Sequence, residues 1–159
     1  MKELGMSEFT ATVRWQRKDA AFIGGRYSRA HEWHFDGGAI VPGSSSPHSV
    51  PLPYSDPEAV DPEEAFVAAL SSCHMLFFLA FAAKRHWVVE SYTDAAVGIM
   101  ARNAAGKMAM TRVILRPRLE FAGEVPAQTD IDDLHREAHE ECYIANSVTA
   151  TVTVEPQLD

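Results

Sequence analysis

Two cysteines are the residues of this 159-residue chain best suited to chemistry. Cys73 lies in the apolar stretch Ala65–Ala83, between Ser72 and His74, and Cys142 follows an amphipathic segment near the other end of the chain. A cysteine thiolate attacks peroxides, disulfides and acyl groups. Free cysteines are, however, among the most buried residue types, and most are inert. Each cysteine alone is therefore more often a packing residue than a reactive one.

A metal site is the second chemistry that these residue types allow. His135, His139 and Cys142 share one face of a predicted helix, and Cys73 would complete a set of four zinc ligands. The chain has no Cys-x-x-Cys pair, which the more specific zinc signatures carry. The run His31–His34 is too short for His-Glu-x-x-His and alternates sides in a strand. We therefore regard zinc as the weaker interpretation.

Three charged residues could assist a thiolate. Arg26 follows Gly24-Gly25, Arg29 comes three residues later, and Glu63 lies in the first turn of a predicted helix. Taken alone, the arginines are typical of a solvated loop, and the helix dipole stabilises a carboxylate at Glu63. The Gly-x-Ser-x-Gly, Gly-x-Gly-x-x-Gly and P-loop patterns are absent, so hydrolase and nucleotide chemistry is unsupported.

The cysteine at position 73 must be positioned by a long helix. Asp61 at the N-cap, Pro62 and two following glutamates predict a helix from there to about His86. Its apolar part approaches the length of a bilayer span, but polar residues interrupt it, which favours burial inside the protein. One small sheet cannot cover an all-round apolar helix. We therefore expect a dimer, and the alternative is a monomer with the second helix and a Pro-rich loop as a lid.

The other elements alternate in the way expected of strands around two helices. A second helix is predicted from Thr129, with Asp132 completing a capping box. Strands are predicted over 9–16, 27–35, 88–100, 108–121 and 147–154, with a hairpin turn at 103–106 and a tentative edge strand at 49–52. This order favours an α+β fold with one domain over 1–159, of which 1–8 is a flexible extension.

Composition excludes several classes of protein. The formal charge of −8 argues against nucleic acid or an anionic membrane as partner. The first residues contain no apolar run typical of a signal peptide, so we expect a cytoplasmic protein with reduced cysteines.

Together, several of these segments resemble the OsmC/Ohr family, the osmotically inducible protein C and organic hydroperoxide resistance proteins. The matching segments are Gly24-Gly25-Arg26, the Asp61–Glu64 helix start followed by Ala-Ala-Leu-Ser-Ser-Cys, and the late Ala-His-Glu-Glu-Cys with Asn146-Ser147. The resemblance extends from about Phe9 to Glu155. Two departures are Tyr143, where many members have proline, and His74.

The resemblance implies a peroxidase that reduces alkyl or fatty-acid hydroperoxides. Cys73 would be the peroxidatic thiolate, and Cys142 would resolve its sulfenic acid as a disulfide. Arg26 would hold the thiolate and the peroxide, and Glu63 would orient Arg26, with Arg29 as the substitute arginine. The apolar residues around Cys73 suit an organic peroxide.

The resemblance also implies an intertwined α+β homodimer, in which a long buried central helix is flanked by antiparallel sheets. No metal or organic cofactor is implied, and the electrons would come from a dithiol such as a lipoyl group on a partner protein. Two alternatives remain open: an acyl or thioester enzyme that does not need Cys142, and a zinc-bound or structural stress protein.

Helix geometry adds a constraint on Glu63. Ten residues at about 1.5 Å per residue separate it from Cys73 by about 15 Å along a straight helix. We therefore expect Arg26 and Glu63 to serve Cys73 of the partner subunit, or else a kink that brings the residues together.

Overall fold

The structure is a computed structural model that describes residues 5–158, in which two α-helices and eight strands form an α+β fold. The elements in chain order are β1 Ala11–Arg14, β2 His31–Phe35, β3 Ile40–Gly43, α1 Pro62–Lys84, β4 Val88–Asp94, β5 Val97–Arg102, β6 Met108–Leu115, β7 Pro117–Ala122, α2 Gln128–Glu141, a 3₁₀ turn Ala145–Ser147 and β8 Thr151–Val154. The chain divides into two compact units, the first ending at Pro62 and the second beginning at Glu63.

The first unit is a three-stranded antiparallel sheet with a long loop. The strand order is β1-β2-β3, and every residue of β1 is exposed. The loop returns to β3 through two backbone hydrogen bonds, from Ser44 N to Val60 O and from Val60 N to Pro42 O. The tentative edge strand at 49–52 is wrong, because this segment forms turns instead.

The second unit contains two sheets. Strands β4 and β7 pair antiparallel, and the other sheet has the order β5-β6-β8. The hairpin turn at 103–106 joins β5 to β6, as predicted. Strand β8 lies parallel to β6, so this sheet is mixed, while the other two sheets are antiparallel as expected.

Two predicted long strands are each divided in the structure. The residues 88–100 form β4 and part of β5, and the residues 108–121 form β6 and β7. Asp94 lies at the division, where its Oδ1 accepts the backbone N–H of Arg116 at 2.6 Å. Because this side chain takes the N–H that would continue the ladder, pairing changes from β4–β7 to β5–β6.

Helix α1 begins at Pro62 as predicted and runs without a break to Lys84. Its buried residues recur every fourth position at Leu70, His74, Phe78 and Ala82, so one face packs inside the second unit. By length and composition alone it could cross a membrane, and only 22% of its most apolar window is buried. The central helix is therefore buried on one face only by its own chain.

Two hydrophobic cores meet along α1. Phe78 and Ala82 pack with α2 and with residues of the β4–β7 sheet. Leu70 packs with Val113 and Leu115 of β6. Cys73 and His74 lie on the helix between these two cores.

Candidate functional site

The structure brings the two cysteines together. Cys73 is half-buried on α1, and Cys142 is 1% exposed at the residue that ends α2. Both are free thiols, and Cys73 lies close enough to Cys142 to help raise the pKa of its thiol. The more accessible Cys73 is therefore the one that a small molecule meets first.

The end of α2 holds Cys142 in place through its backbone. Its N–H donates to His139 O at 3.3 Å, and its carbonyl accepts Asn146 N–H at 3.0 Å. The sulfur accepts the backbone N–H of Ala145 at 3.4 Å. The 3₁₀ turn after the helix thus directs N–H groups toward the thiol.

Burial raises the pKa of the Cys142 thiol to about 11, and its contact with Cys73 acts in the same direction. The backbone N–H groups of Ala145 and Ile144 lower this pKa but do not offset the burial. Cys142 is therefore a protonated thiol at neutral pH, and it needs a proton acceptor before it can attack.

A second polar contact joins the same two helices next to the thiols. His74 Nε2 lies 3.0 Å from His135 Nδ1, so one of the two imidazoles donates to the other. The His135 ring also stacks on Phe78 with centroids 4.3 Å apart. Burial lowers the pKa of His74 to about 4 and that of His135 to about 3, so both are neutral at pH 7.

The histidine cluster, His74, His135 and His139, has nitrogen atoms without partners. His74 Nδ1, His135 Nε2 and His139 Nδ1 are all buried, and none has a hydrogen-bond partner among the described residues. Each such atom costs about 1–3 kcal/mol unless water satisfies it. A hollow of about 350 Å³ beside α2 is lined by His135 and His139 together with Asp132, Arg136, Val152, Val154 and Pro156.

Glu63 does not share a site with Cys73 in the same chain. Both lie on the unbroken α1, so the rise of about 15 Å separates them, and the kink alternative is wrong. Glu63 Oε2 is buried and has no hydrogen-bond partner within residues 5–158. The role of Glu63 in orienting Arg26 stays a prediction.

The two candidate arginines differ in how they are held. Arg26 is exposed. Arg29 is half-buried, its Nη1 donates to Gly25 O at 2.7 Å and Tyr27 O at 2.5 Å, and its guanidinium lies 3.7 Å from the Tyr27 ring centroid. Gly25 adopts a φ of +77°, a left-handed conformation that favours glycine. The loop therefore fixes Arg29 rather than Arg26.

Arg29 lines an apolar hollow of about 500 Å³ in the first unit. Its aromatic walls are Trp15, Phe22 and Tyr27, and the rings of Phe22 and Tyr27 stack with centroids 4.7 Å apart. His31 also lines the hollow. A ligand with an apolar body and a polar group fits this combination of aromatic and cationic surface.

The histidines of the His31–His34 run make polar contacts within β2. His31 Nε2 accepts the indole N–H of Trp33 at 2.8 Å, and His34 pairs with Glu32 at 2.8 Å. Within residues 5–158, no group of three or more His, Cys, Asp or Glu side chains is arranged to hold a metal ion.

Sequence reasoning missed the pairing of His74 with His135. The signal was present, because His135 and Cys142 are seven residues apart on one face of α2, while Cys73 and His74 are adjacent on α1. Two helices that bring Cys142 to Cys73 can also bring His135 close to α1. From its sequence position, His135 is expected only as a zinc ligand.

Known proteins share this fold. The family model described as OsmC-like protein matches residues 55–157. A solved structure of an OsmC-like protein of unknown function from Vibrio cholerae is 55% identical, with a TM-score of 0.94, over 96% of this chain and all of that one. No curated protein matches this chain.

Two more distant structures share the fold. An organic hydroperoxide resistance protein from Elizabethkingia anophelis is 17% identical with a TM-score of 0.69, over 98% of this chain and 96% of that one. The protein OhrB of Bacillus subtilis, also an organic hydroperoxide resistance protein, is 15% identical with a TM-score of 0.67, over 95% and 98%.

Proposed function

Because this chain belongs to the OsmC-like family, we propose that it reduces organic hydroperoxides through Cys73 and Cys142. The observation that carries the proposal is the contact between a half-buried thiol and a buried one on two different helices. Neither an acyl-transfer enzyme nor a structural protein needs a second thiol beside the first.

In the first step, the Cys73 thiolate attacks the outer oxygen of the hydroperoxide. The O–O bond breaks, the sulfur is oxidised to sulfenic acid, and the peroxide leaves as an alcohol once it has taken up a proton. Cys73 is suited to this step because its side chain is partly accessible.

In the second step, Cys142 attacks the sulfenic sulfur of Cys73. An S–S bond forms, the S–O bond breaks, and the departing hydroxide leaves as water after gaining one proton. The raised pKa of Cys142, caused mainly by burial, keeps this thiol protonated, so the attack on the hydroperoxide falls to Cys73. The disulfide prevents further oxidation of Cys73.

The residues of α1 around Cys73 support an organic substrate. Leu70, Leu76 and Phe77 lie three or four residues from Cys73 along the helix, and Leu76 is 60% exposed. Hydrogen peroxide would gain nothing from such apolar surface, whereas an alkyl or fatty-acid hydroperoxide would bury its chain there.

The proposal includes a homodimer in the cytoplasm and a dithiol reductant such as a lipoyl group. Leu76 on the open face of α1 is 60% exposed, and the whole of β1 is exposed as well. A second copy would cover such apolar surface, and it would also bring a partner's residues to Glu63.

Thiol counting with mass spectrometry tests the proposed function. Reduced protein is treated with one equivalent of cumene hydroperoxide, and we expect two thiols and two hydrogen atoms to be lost. Cys142→Ser should stop at the sulfenic acid of Cys73, and Cys73→Ser should not react.

The matched control is the double variant Cys73→Ser/Cys142→Ser, which should be inert. Survival of both thiols in the unsubstituted protein would contradict a peroxidase. Turnover of an acyl or thioester substrate that persists in Cys142→Ser would instead point to an acyl or thioester enzyme.

The two arginine assignments can be separated in the same assay. Arg29→Ala and Arg26→Ala are compared for the rate of Cys73 oxidation. We expect a loss of about 10- to 100-fold in Arg29→Ala, since a positioned guanidinium stabilises a thiolate. A large loss in Arg26→Ala alone would return the role to the arginine that the family resemblance indicates.

A further inference from the structure

The histidine cluster lies next to the thiol pair, between the same two helices. Cys73 contacts Cys142, and the following residue, His74, contacts His135. His139 lies between His135 and Cys142 on the same face of α2, and its charge would be felt at His74. Thiols and imidazoles are therefore successive layers of one helix–helix contact.

The hydrogen bonding of the histidine cluster differs from that of a polar contact that only joins two helices. The bond between His74 and His135 uses one nitrogen of each ring and leaves the other nitrogen of each buried and unpartnered. His139 adds a third such atom. A pair that only joined two helices would not need three open positions, whereas a chain of proton carriers needs one free nitrogen at each end.

Solvent can reach one end of the cluster. His135 and His139 line the hollow of about 350 Å³ beside α2, and the charged residues that line it are Asp132 and Arg136. A hollow of this size with polar walls can hold several ordered waters. The open nitrogens themselves are buried, but the His139 ring is half-buried, so these waters reach the cluster at His139 and connect it to bulk water.

Cys142 needs such a connection in the resolving step. Its thiol is 1% exposed, so bulk water cannot take its proton directly. The sulfenic acid of Cys73 is reduced and Cys142 is oxidised, so the pair needs no further oxidant. It needs a path by which one proton leaves the Cys142 sulfur and one reaches the departing hydroxide.

We propose that His74, His135 and His139 form a proton relay between the Cys142 thiol and the water-filled hollow beside α2. The relay passes the Cys142 proton to water in the hollow as the disulfide forms, and a proton from water converts the departing hydroxide to water. A proton returns along the same path when a reductant regenerates the thiol. This inference rests on the proposed function, and it assigns His74, which departs from the family pattern, a role in the second step only.

A single-turnover experiment tests the relay because it separates the two steps. Loss of the Cys73 thiol measures the first step, and formation of the disulfide measures the second. In His139→Ala and His135→Gln we expect the first rate to stay within about twofold. The second should fall at least tenfold, in the range typical of general-base groups.

Imidazole in solution provides a readout that a structural role would not move. Added to His139→Ala, it should restore part of the disulfide-forming rate through the hollow. The control variant is His86→Asn, an exposed histidine just beyond α1, which should leave both rates unchanged. Normal disulfide formation in both relay variants, or a slow rate that imidazole does not raise, would overturn the relay.

A measurement on the unsubstituted protein tests the relay even if a variant fails to fold. The rate of disulfide formation is measured in mixtures of H₂O and D₂O. Because several protons move together in a relay, a plot of this rate against the deuterium fraction should be curved. A straight line would overturn the relay, since it indicates a single direct transfer. If Cys73 is not oxidised at all, the proposed function fails first, and the relay falls with it.

Discussion

The two faces of α1 differ in what covers them, although the sequence gives both the same apolar character. The face with Leu70, His74, Phe78 and Ala82 is buried by the rest of the second unit. The other face is exposed, and its residues are Ala68, Ala69, Ser72, Leu76, Ala80 and Ala83. Hydropathy therefore indicates that a helix is buried. It does not indicate whether the same chain or another molecule covers it.

The exposed face is about as apolar as the buried one. The buried face contains His74, which is joined to α2, and the exposed face consists of four alanines, Leu76 and Ser72. A helix surface that faces water usually carries polar and charged residues. The exposed face therefore supports the proposal that a second copy covers it.

The largest effect is expected on the buried face. Phe78→Ala removes a fully buried ring that contacts His135 and Tyr92, and it should lower the free energy of unfolding by about 3–5 kcal/mol. Chemical denaturation measures this change. Phe35→Ala, at a ring that is 39% exposed, is the control and should cost much less.

A charge on the open face should act on assembly. Leu76→Glu places a carboxylate in the proposed interface, and dimerisation should weaken at least a hundredfold, about 3 kcal/mol. Sedimentation at several concentrations measures the change. Met108→Glu, which alters a residue of similar exposure in β6, should leave assembly unchanged. A monomeric unsubstituted protein would contradict the explanation given for this face.

Acidic pH should lower the free energy of unfolding through the histidines on the buried face of α1 and on α2. His74 and His135 have pKa values of about 4 and 3 in the folded protein, below the ordinary 6.5. The unfolded chain therefore binds more protons below pH 6.5, and stability falls as the pH drops through this range. Between pH 7 and 5.5 the two residues should cost roughly 2 kcal/mol in free energy of unfolding.

Thermal melts over this pH range measure the slope. A double variant, His74→Phe with His135→Phe, should lose most of it if it folds. His86→Asn should keep the full slope, because its imidazole is exposed. Equal slopes in all three proteins would show that other groups cause the acid sensitivity.

The smallest effect is expected where α1 ends. Arg85 Nη2 lies 2.8 Å from Glu137 Oε2 of α2, and both side chains are largely exposed. Glu137→Gln should change the free energy of unfolding by at most about 1 kcal/mol, as for other surface ion pairs. A change above about 2 kcal/mol would show that this contact contributes more to the α1–α2 packing than its exposure indicates.

Local patterns predicted the helices because the information lies within each segment. Pro62 and the glutamates after it mark the start of α1, and Asn103 with Gly106 marks the hairpin. The start of α2 was less well predicted. Its N-cap is Ala127 without a side-chain cap, so the expected capping box at Thr129 is not formed.

The features that could not be predicted depend on partners distant in sequence. Asp94 interrupts a predicted strand by accepting a hydrogen bond from the backbone N–H of Arg116, 22 residues away. Strand β8 pairs in parallel with β6. Strand β3 was missed because Pro42 and Gly43 lie in it, although an edge position tolerates proline. The alternation of apolar and polar residues within one segment does not reveal contacts with residues so distant in sequence.

The candidate site divides in the same way. Family resemblance indicated Cys73 and Cys142, and the structure places their thiols in contact. It indicated Arg26, but the loop conformation around Gly25 holds Arg29 in place, which no spacing rule reveals. The histidine cluster depends on the packing of α1 against α2 and was not identified.

The thiol pair also has a consequence for chain entropy. A bond between Cys73 and Cys142 would close a loop of about 70 residues, containing most of the second unit. Restricting the unfolded chain in this way is worth about 4 kcal/mol in the loop-entropy description. The oxidised protein would then melt at a higher temperature than the reduced protein. A reductant would return the molecule to its less stable form with every cycle, so its thermal stability would report its redox state.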